Sequence, residues 1–188
     1  MRIVNSKERY ALVIGSEQIS TRLDMEDRNT CVLFGDGAGA TVIELKEGTE
    51  LYSVWGSEGL TDVLGCTGQN MGKAHIFMDG QKTFKNAVKR MGSAAAEVLE
   101  QSGYTMDDID YVVCHQANER IIDAVVKRMD IPEEKVVKVI ARYGNTSAAS
   151  IPITLDEMYE QGMLEKGNRI LLATFGAGFT WASMIVEI

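Results

Sequence analysis

The sequence is poor in the features that mark disordered, exported and membrane-spanning proteins. Its 188 residues include only 2 prolines, and no segment is repetitive or of low complexity, which excludes a solenoid and a proline-rich linker. No apolar run approaches the roughly 18 residues of a membrane span. Residues 1–10 also lack the apolar core of a secretion signal. We therefore expect a folded protein that is neither exported nor inserted in a membrane.

Cysteine and positive charge are also scarce. The three cysteines, Cys31, Cys66 and Cys114, form no CxxC pair. That pattern argues against a disulfide framework or a zinc site and favours the reducing cytoplasm. The formal net charge of −8 disfavours nucleic acid and anionic membranes, which recruit basic surfaces. We expect no metal ion, no nucleic acid and no membrane as a partner.

What the sequence does contain is an alternation of strand and helix patterns. Apolar runs predict strands buried on both faces at 10–15, 30–34 and 41–45, a central strand at 109–114, and a hairpin from 170–175 and 180–188. Helical spacing predicts helices at 83–102 with Gly103 as the cap, after His115 up to Met129, and at 148–162 with Pro152 in the first turn. The alternation indicates an α/β layered domain.

His115 follows one predicted strand and precedes a predicted helix. Strand ends of α/β sheets gather functional groups, and a partly desolvated imidazole stays neutral, available as a donor or a base. The alternative is a core histidine that bonds a backbone carbonyl. Asn145 stands at a similar turn, in RYGNTSAASIP. Its amide is suited to hold a developing oxyanion, and its alternative is a turn residue that satisfies local backbone groups.

Two glycine-rich loops and a basic helix face admit more than one interpretation. The loops GDGAGA and FGAGFTW precede strands, so we reject a Rossmann fingerprint and expect tight hairpins, with an added oxyanion role open for the second loop. A basic face on the 83–102 helix suits either an acidic partner or a solvated surface. It comprises Lys82, Lys85, Lys89 and Arg90.

The cysteines and the second histidine are weaker candidates for chemistry. The order Cys31, His115, Asn145 superficially matches a cysteine protease, but Cys31 falls in a predicted strand interior and not at a helix start. Cys66 falls in a predicted loop, so we expect three structural thiols. His75 shows no clear partner in the sequence and is expected at the surface or at a rim.

Four segments, HQANERII, RYGNTSAASIP, LFGDGAGA and FGAGFTW, together resemble the motif set of the β-ketoacyl-acyl carrier protein synthase III family of the thiolase superfamily. The resemblance runs from residue 10 to the C-terminus. It is specific, since elongating synthases and thiolases have a histidine-glycine motif where this chain has residues 144–147. It implies a thiolase-like αβαβα fold, with residues 1–47 as the last strands of the N-terminal half and 48–188 as the C-terminal half.

The resemblance also implies a reaction in fatty acid biosynthesis. Family members pass a short acyl group from coenzyme A to a cysteine and condense it with malonyl-acyl carrier protein as carbon dioxide leaves. Acyl-coenzyme A and malonyl-acyl carrier protein are then substrates, with no further cofactor, and the family is typically homodimeric. His115 and Asn145 would hydrogen bond the malonyl thioester carbonyl and stabilise the enolate.

Further roles follow from the resemblance by position. Gln81 stands where the family more usually has asparagine. The implied roles are active-site lining for Phe84, an oxyanion hole for the Ala177 backbone, coenzyme A contact for Gly80 and Gln81, and acyl carrier protein docking for Arg120 and Lys85.

One departure from the family concerns its nucleophilic cysteine. That cysteine starts a helix before the region that matches residue 10, and none of the three cysteines occupies its place. We expect a piece of a full synthase, one of two polypeptides that associate into an active enzyme, or a non-catalytic module that binds acyl carrier protein or coenzyme A. Alone, the chain is expected to be inactive in the condensation and to form no acyl-enzyme, because covalent catalysis needs its nucleophile.

Overall fold

The computed structural model describes residues 9–44, 46, 50–67 and 75–188. Strands and helices are mixed along this part of the chain: five strands precede α1, β6 follows it, and three helices separate β6 from the last two strands. The strands are β1 Tyr10–Glu17, β2 Gly37–Glu44, β3 Ser53–Ser57, β4 Leu64–Cys66, β5 Ile76–Met78, β6 Tyr111–Cys114, β7 Arg169–Gly176 and β8 Thr180–Glu187. The helices are α1 Gly80–Ser102, α2 Glu119–Met129, α3 Ile140–Tyr143 and α4 Ser150–Glu160.

A four-stranded sheet organises the molecule. Its order is β3-β8-β7-β6, with β6 parallel to β7 and the other neighbours antiparallel. The β7–β8 hairpin turns through residues 177–179, so the hairpin predicted around FGAGFTW is confirmed. Two further strand pairs, the eight-residue β1–β2 and the three-residue β4–β5, lie outside this sheet.

Helices cover both faces of the sheet. Met91 of α1 and Ile122 of α2 are fully buried in one cluster with Leu171 of β7. On the opposite face Met158 of α4 packs with Val113 and Ile170. The β1–β2 pair lies on the far side of α4, as the close approach of its glycines to residues 148–153 shows. The order helix, sheet, helix, sheet confirms the predicted α/β layering.

Side-chain and glycine caps define the ends of the helices, and the predicted Gly103 cap is confirmed. The Asp79 side chain accepts the Lys82 backbone N–H at 3.0 Å and caps α1, and Gly103 ends it in the left-handed region with φ of 73°. Asn118 caps α2 through the Arg120 backbone N–H at 3.0 Å. Pro152 lies in the first turn of α4, where its missing N–H removes no intrahelical hydrogen bond.

The strand predicted at 30–34 is wrong. Residues 27–33 form consecutive turns, in which the Asp27 carboxylate accepts the Asn29 backbone N–H at 3.0 Å and the Thr30 hydroxyl at 2.8 Å. Asp and Asn side chains compete with strand pairing in this way. The local turn chemistry therefore overrides the apolar run, and Cys31 lies in a turn.

Two further predictions about the first strands need correction. Leu12 and Ile14 keep 59% and 63% of their surfaces exposed, so β1 is not buried on both faces in the described structure. GDGAGA is no hairpin turn, since β2 already begins at Gly37. The end of the 41–45 prediction and the proposed 47/48 domain boundary lie outside the described residues. Across the described residues, no helix is long and apolar enough to cross a membrane.

Candidate active site

A cavity of about 900 Å³ opens beside the carboxyl ends of β6 and β7. It gathers residues that are far apart in the sequence, and seven of the eight predicted site residues line it: Gly80, Gln81, Phe84, His115, Arg120, Asn145 and Ala177. The eighth predicted residue, Lys85, is exposed on α1 and is not among the described residues that line the cavity. A second cavity, of about 570 Å³, reaches His115 from the side of Trp55 and Trp181.

His115 is held by backbone and side-chain contacts directly after β6. The backbone N–H of His115 donates to the Ala173 carbonyl of β7 at 2.8 Å, which extends the parallel pairing by one residue. The ring packs edge-on against Phe175 at 5.6 Å between centroids. Its Nδ1 lies 2.6 Å from the Ser150 hydroxyl at the start of α4. The partner is thus a side-chain hydroxyl and not the backbone carbonyl of the alternative interpretation.

Burial fixes the charge of this imidazole. Only 8% of the residue is exposed, and burial lowers the pKa of His115 from 6.5 to about 4. At neutral pH the ring is therefore uncharged and carries one N–H. A neutral imidazole is suited to donate a hydrogen bond without first losing a proton.

This lowered pKa predicts an acid-dependent loss of stability. Below about pH 6.5 the imidazole of residue 115 becomes protonated in the unfolded chain, whereas in the folded chain it stays neutral down to about pH 4. The free energy of unfolding should therefore fall as pH drops through this window, by up to about 3 kcal/mol. The measurement is the free energy of unfolding in urea at several pH values in this window, for the protein and for His115→Gln. The fall with decreasing pH should be smaller in the variant.

The contribution of His115 to the pH dependence should vanish above about pH 6.5, because the ring is then neutral in both the folded and the unfolded state. His75→Gln is the control and should keep the acid-dependent loss, because His115 is unchanged in it. An equal acid slope in the protein and in His115→Gln contradicts the prediction.

Asn145 is oriented by its own backbone and by the turn that follows. Gly144 takes a φ of 67°, a conformation that glycine adopts without strain. The Asn145 N–H donates to the Leu33 carbonyl at 2.9 Å, and its carbonyl accepts the Gly35 N–H at 3.0 Å. The side-chain oxygen accepts the Ser147 N–H at 2.9 Å. That bond identifies the oxygen and leaves Nδ2, which has no partner among the described residues, as a donor to the cavity.

Gln116 connects the two donors, and sequence reasoning missed it. Only 1% of the residue is exposed, yet both the nitrogen and the oxygen of its side-chain amide have hydrogen-bond partners. Nε2 donates to the Cys114 carbonyl at 2.9 Å and the Val137 carbonyl at 3.3 Å, and Oε1 accepts the Val139 and Ile140 N–H groups at 2.9 and 3.1 Å. The end of β6 is thereby tied to the segment that leads into Asn145. The signal in the sequence was a glutamine directly after His115, at the end of the apolar run of β6.

The remaining predicted residues stand around the cavity at the surface. Ala177 is exposed in the β7–β8 turn, and Phe84 keeps 37% of its surface exposed on α1. Gly80 and Gln81 form the first turn of α1. Arg120 is exposed in the first turn of α2.

Two of the four cations predicted to form a basic face on α1 are paired with carboxylates. Lys82 lies within 3.8 Å of Asp62 and 3.5 Å of Asp79. Arg90 pairs with Glu58 and stacks over the Trp181 ring at 4.5 Å. Lys85 and Lys89 are exposed and form no ion pair with the described residues, and Lys85 remains, with the exposed Arg120, a predicted docking cation.

The thiols and His75 differ from prediction in part. Cys66 lies in β4, not in a loop, and lines the cavity. Cys114 is fully buried, and burial raises the pKa of its thiol to about 12, so it stays protonated. His75 does have a partner, since its Nδ1 lies 3.8 Å from the Asp24 carboxylate. No group of three or more potential metal ligands occurs in the described ranges.

Two family models match the chain. The model described as 3-oxoacyl-[acyl-carrier-protein] synthase III covers residues 2–59, and its C-terminal counterpart covers residues 99–188. The chain belongs to the 3-oxoacyl-[acyl-carrier-protein] synthase III family. The second match includes His115, Asn145 and Ala177, and the resemblance stated from the sequence motifs is confirmed.

Synthase III relatives match nearly the whole chain. The β-ketoacyl-[acyl-carrier-protein] synthase III of Caldanaerobacter subterraneus subsp. tengcongensis is 47% identical, over 95% of this chain and 58% of its own. The crystal structure of the Aquifex aeolicus synthase III superposes with a TM-score of 0.91 at 42% identity, over 100% of this chain and 60% of that one.

The Pseudomonas aeruginosa synthase III gives a TM-score of 0.92 at 38% identity, over 99% of this chain and 60% of that one. The chain thus spans about 60% of the length of the synthases it matches. These likenesses confirm the thiolase-like α/β fold.

Proposed function

We propose that the chain supplies the decarboxylation site of a synthase III that condenses a short acyl-coenzyme A primer with malonyl-acyl carrier protein. The observation that carries the proposal is the presence of two neutral donors, His115 and Asn145, in one cavity. Each is oriented by a hydrogen bond on its other side, to the Ser150 hydroxyl and the Ser147 N–H. The reaction would begin fatty acid synthesis.

The chemistry needs donors at one oxygen. Decarboxylation breaks the bond between the malonyl carboxylate and its α carbon, and the electron pair moves into the thioester carbonyl as carbon dioxide leaves. Negative charge then develops on the carbonyl oxygen. Fixed N–H donors lower the free energy of that enolate without reorganising, which is how oxyanion sites act. The enolate carbon next attacks the acyl thioester and expels its thiolate.

A neutral histidine suits this step better than a charged one. An imidazolium would also attract the substrate carboxylate and stabilise the ground state, which does not accelerate the step. The lowered pKa of His115, caused by burial, keeps the ring uncharged at neutral pH. The Asn145 amide adds a second donor that does not titrate.

The outer part of the cavity suits the carriers. In this proposal the pantetheine arm of coenzyme A runs past Gly80, Gln81 and Phe84, and the β7–β8 turn offers the Ala177 backbone N–H to the acyl thioester. Arg120 and Lys85, both exposed, would meet the acidic acyl carrier protein. The proposal includes association with a nucleophile-bearing half, homodimers and a cytoplasmic location.

The test measures decarboxylation and acylation separately. The chain is incubated with malonyl-coenzyme A, and acetyl-coenzyme A is quantified by chromatography and mass spectrometry. We expect conversion faster than in buffer, strongly reduced in His115→Ala and retained in His75→Ala. Acetyl-coenzyme A should leave no adduct on Cys31, Cys66 or Cys114 in the intact mass.

Each result bears on one part of the proposal. A folded chain that binds malonyl-coenzyme A without converting it contradicts the decarboxylation site and leaves a binding or assembly module. A stable acyl adduct on one of the three cysteines contradicts the need for a nucleophile from elsewhere.

A further inference from the structure

Ser150 makes a pair of contacts that set it apart from the other serines of the site. Its hydroxyl oxygen lies 2.6 Å from His115 Nδ1 and accepts the Gln116 backbone N–H at 3.3 Å. The residue is the first of α4 and is 2% exposed, so water does not compete for these bonds. The Ser150 hydroxyl makes no hydrogen bond to any other polar atom of the described residues.

These contacts decide which imidazole nitrogen carries the proton. A serine hydroxyl has one hydrogen to donate and lone pairs to accept with. The Gln116 N–H already occupies the acceptor side of Ser150. If the hydroxyl donates to Nδ1, every group in the cluster is satisfied. If Nδ1 were protonated instead, the Ser150 O–H would be buried without an acceptor, which is the costlier arrangement.

We propose that Ser150 is a positioning residue that holds His115 in the tautomer protonated at Nε2 and turns that N–H toward the cavity. Ser150 touches no substrate and acts through the imidazole. The inference rests on the proposed function for its catalytic meaning, since an Nε2–H donor is what the developing enolate oxygen requires. The tautomer itself is a property of the folded chain and is measured without substrate.

Labelling histidine with ¹⁵N gives a direct measurement, because the chain contains only two histidines. Long-range ¹H–¹⁵N correlation spectra distinguish a protonated ring nitrogen from an unprotonated one. At neutral pH, His115 should show a proton on Nε2 and a bare Nδ1, and His115→Gln assigns the signals. A spectrum with the proton on Nδ1 overturns the inference, whatever the activity is.

The variants separate positioning from packing. Ser150→Ala should mix the two His115 tautomers and lower kcat for malonyl-coenzyme A about tenfold, the loss of about one hydrogen bond, with KM changed less than about twofold. Ser150→Thr keeps the hydroxyl and should restore the Nε2–H spectrum. Ser183→Ala is the matched control, because it removes another buried serine hydroxyl, which is bonded to the Leu172 carbonyl at 2.7 Å and makes no hydrogen bond with the His115 ring.

The outcomes distinguish this inference from the proposed function. An Nε2–H tautomer that Ser150→Ala disturbs, in a chain without decarboxylation, supports the positioning and contradicts the function. Decarboxylation with an unchanged His115 spectrum in Ser150→Ala supports the function and overturns the positioning. Ser150→Ala that fails to fold leaves the wild-type spectrum and Ser150→Thr as the deciding measurements.

Discussion

Replacing Asn145 with aspartate should slow malonyl-coenzyme A decarboxylation by about 10²–10³-fold, the range found when one oxyanion donor is removed. The aspartate keeps an oxygen that can accept the Ser147 N–H, which Asn145 Oδ1 holds at 2.9 Å. At mildly alkaline pH its second oxygen is a charged acceptor in place of the Nδ2 donor. The side chain then repels the enolate that the amide would stabilise. The initial rate of acetyl-coenzyme A formation checks the prediction. Unfolding followed by circular dichroism shows whether the variant is folded.

His115→Ala and Asn145→Ala test whether the two donors act on the same oxygen. Each alone should reduce the rate by a similar factor, and the double variant should be only a few-fold slower than either, because groups that act as a unit are not additive. His75→Ala is the matched control. Factors that multiply in the double variant contradict a shared oxygen, and an Asn145→Asp rate near that of the wild type contradicts the donor role.

Gly35→Ala should destabilise the chain by about 2–4 kcal/mol, the range of large single-site effects, and reduce decarboxylation in parallel. A Cβ added at Gly35 would overlap the backbone carbonyl oxygen of Tyr143. Two hydrogen bonds flank that point, from Asn145 N–H to the Leu33 carbonyl at 2.9 Å and from Gly35 N–H to the Asn145 carbonyl at 3.0 Å. Relief of the overlap must lengthen one of them and move Asn145. Urea unfolding and the decarboxylation rate provide the measurement.

Gly59→Ala is the control for this substitution. No heavy atom lies within 4 Å of a Cβ added at Gly59, so its free energy of unfolding should stay within about 0.5 kcal/mol of the wild-type value. If the two alanine variants unfold at the same urea concentration, the contact between Gly35 and the Asn145 turn has no energetic role.

The sequence predicted what local periodicity and capping control. The buried stripe of α1 and its Gly103 end are readable because each signal lies within or next to the helix itself. The 30–34 strand was wrong because Asp27, three residues upstream, binds the backbone of the turn. The burial of β1 was also wrong, since an apolar run does not specify which faces are covered by other elements.

The site divides in the same way. Motifs located His115 and Asn145, and the structure places both in one cavity. Gln116 and Ser150 were missed because their roles depend on partners 21–24 and 34–35 residues distant in sequence, which no spacing rule reveals. The local pattern thus identifies the groups that face the cavity, and tertiary contacts identify those that hold them.

The attachment of both donors to the start of α4 has a mechanical consequence. Asn145 belongs to the turn that leads into the helix, and Ser150, its first residue, holds the His115 ring. The imidazole is therefore held at two points, by the sheet through its backbone N–H to the Ala173 carbonyl and by α4 through the Ser150 hydroxyl. A shift of α4 relative to the sheet would turn the ring and move the turn that carries the amide. The seating of α4 on the sheet thus determines the geometry of both donors.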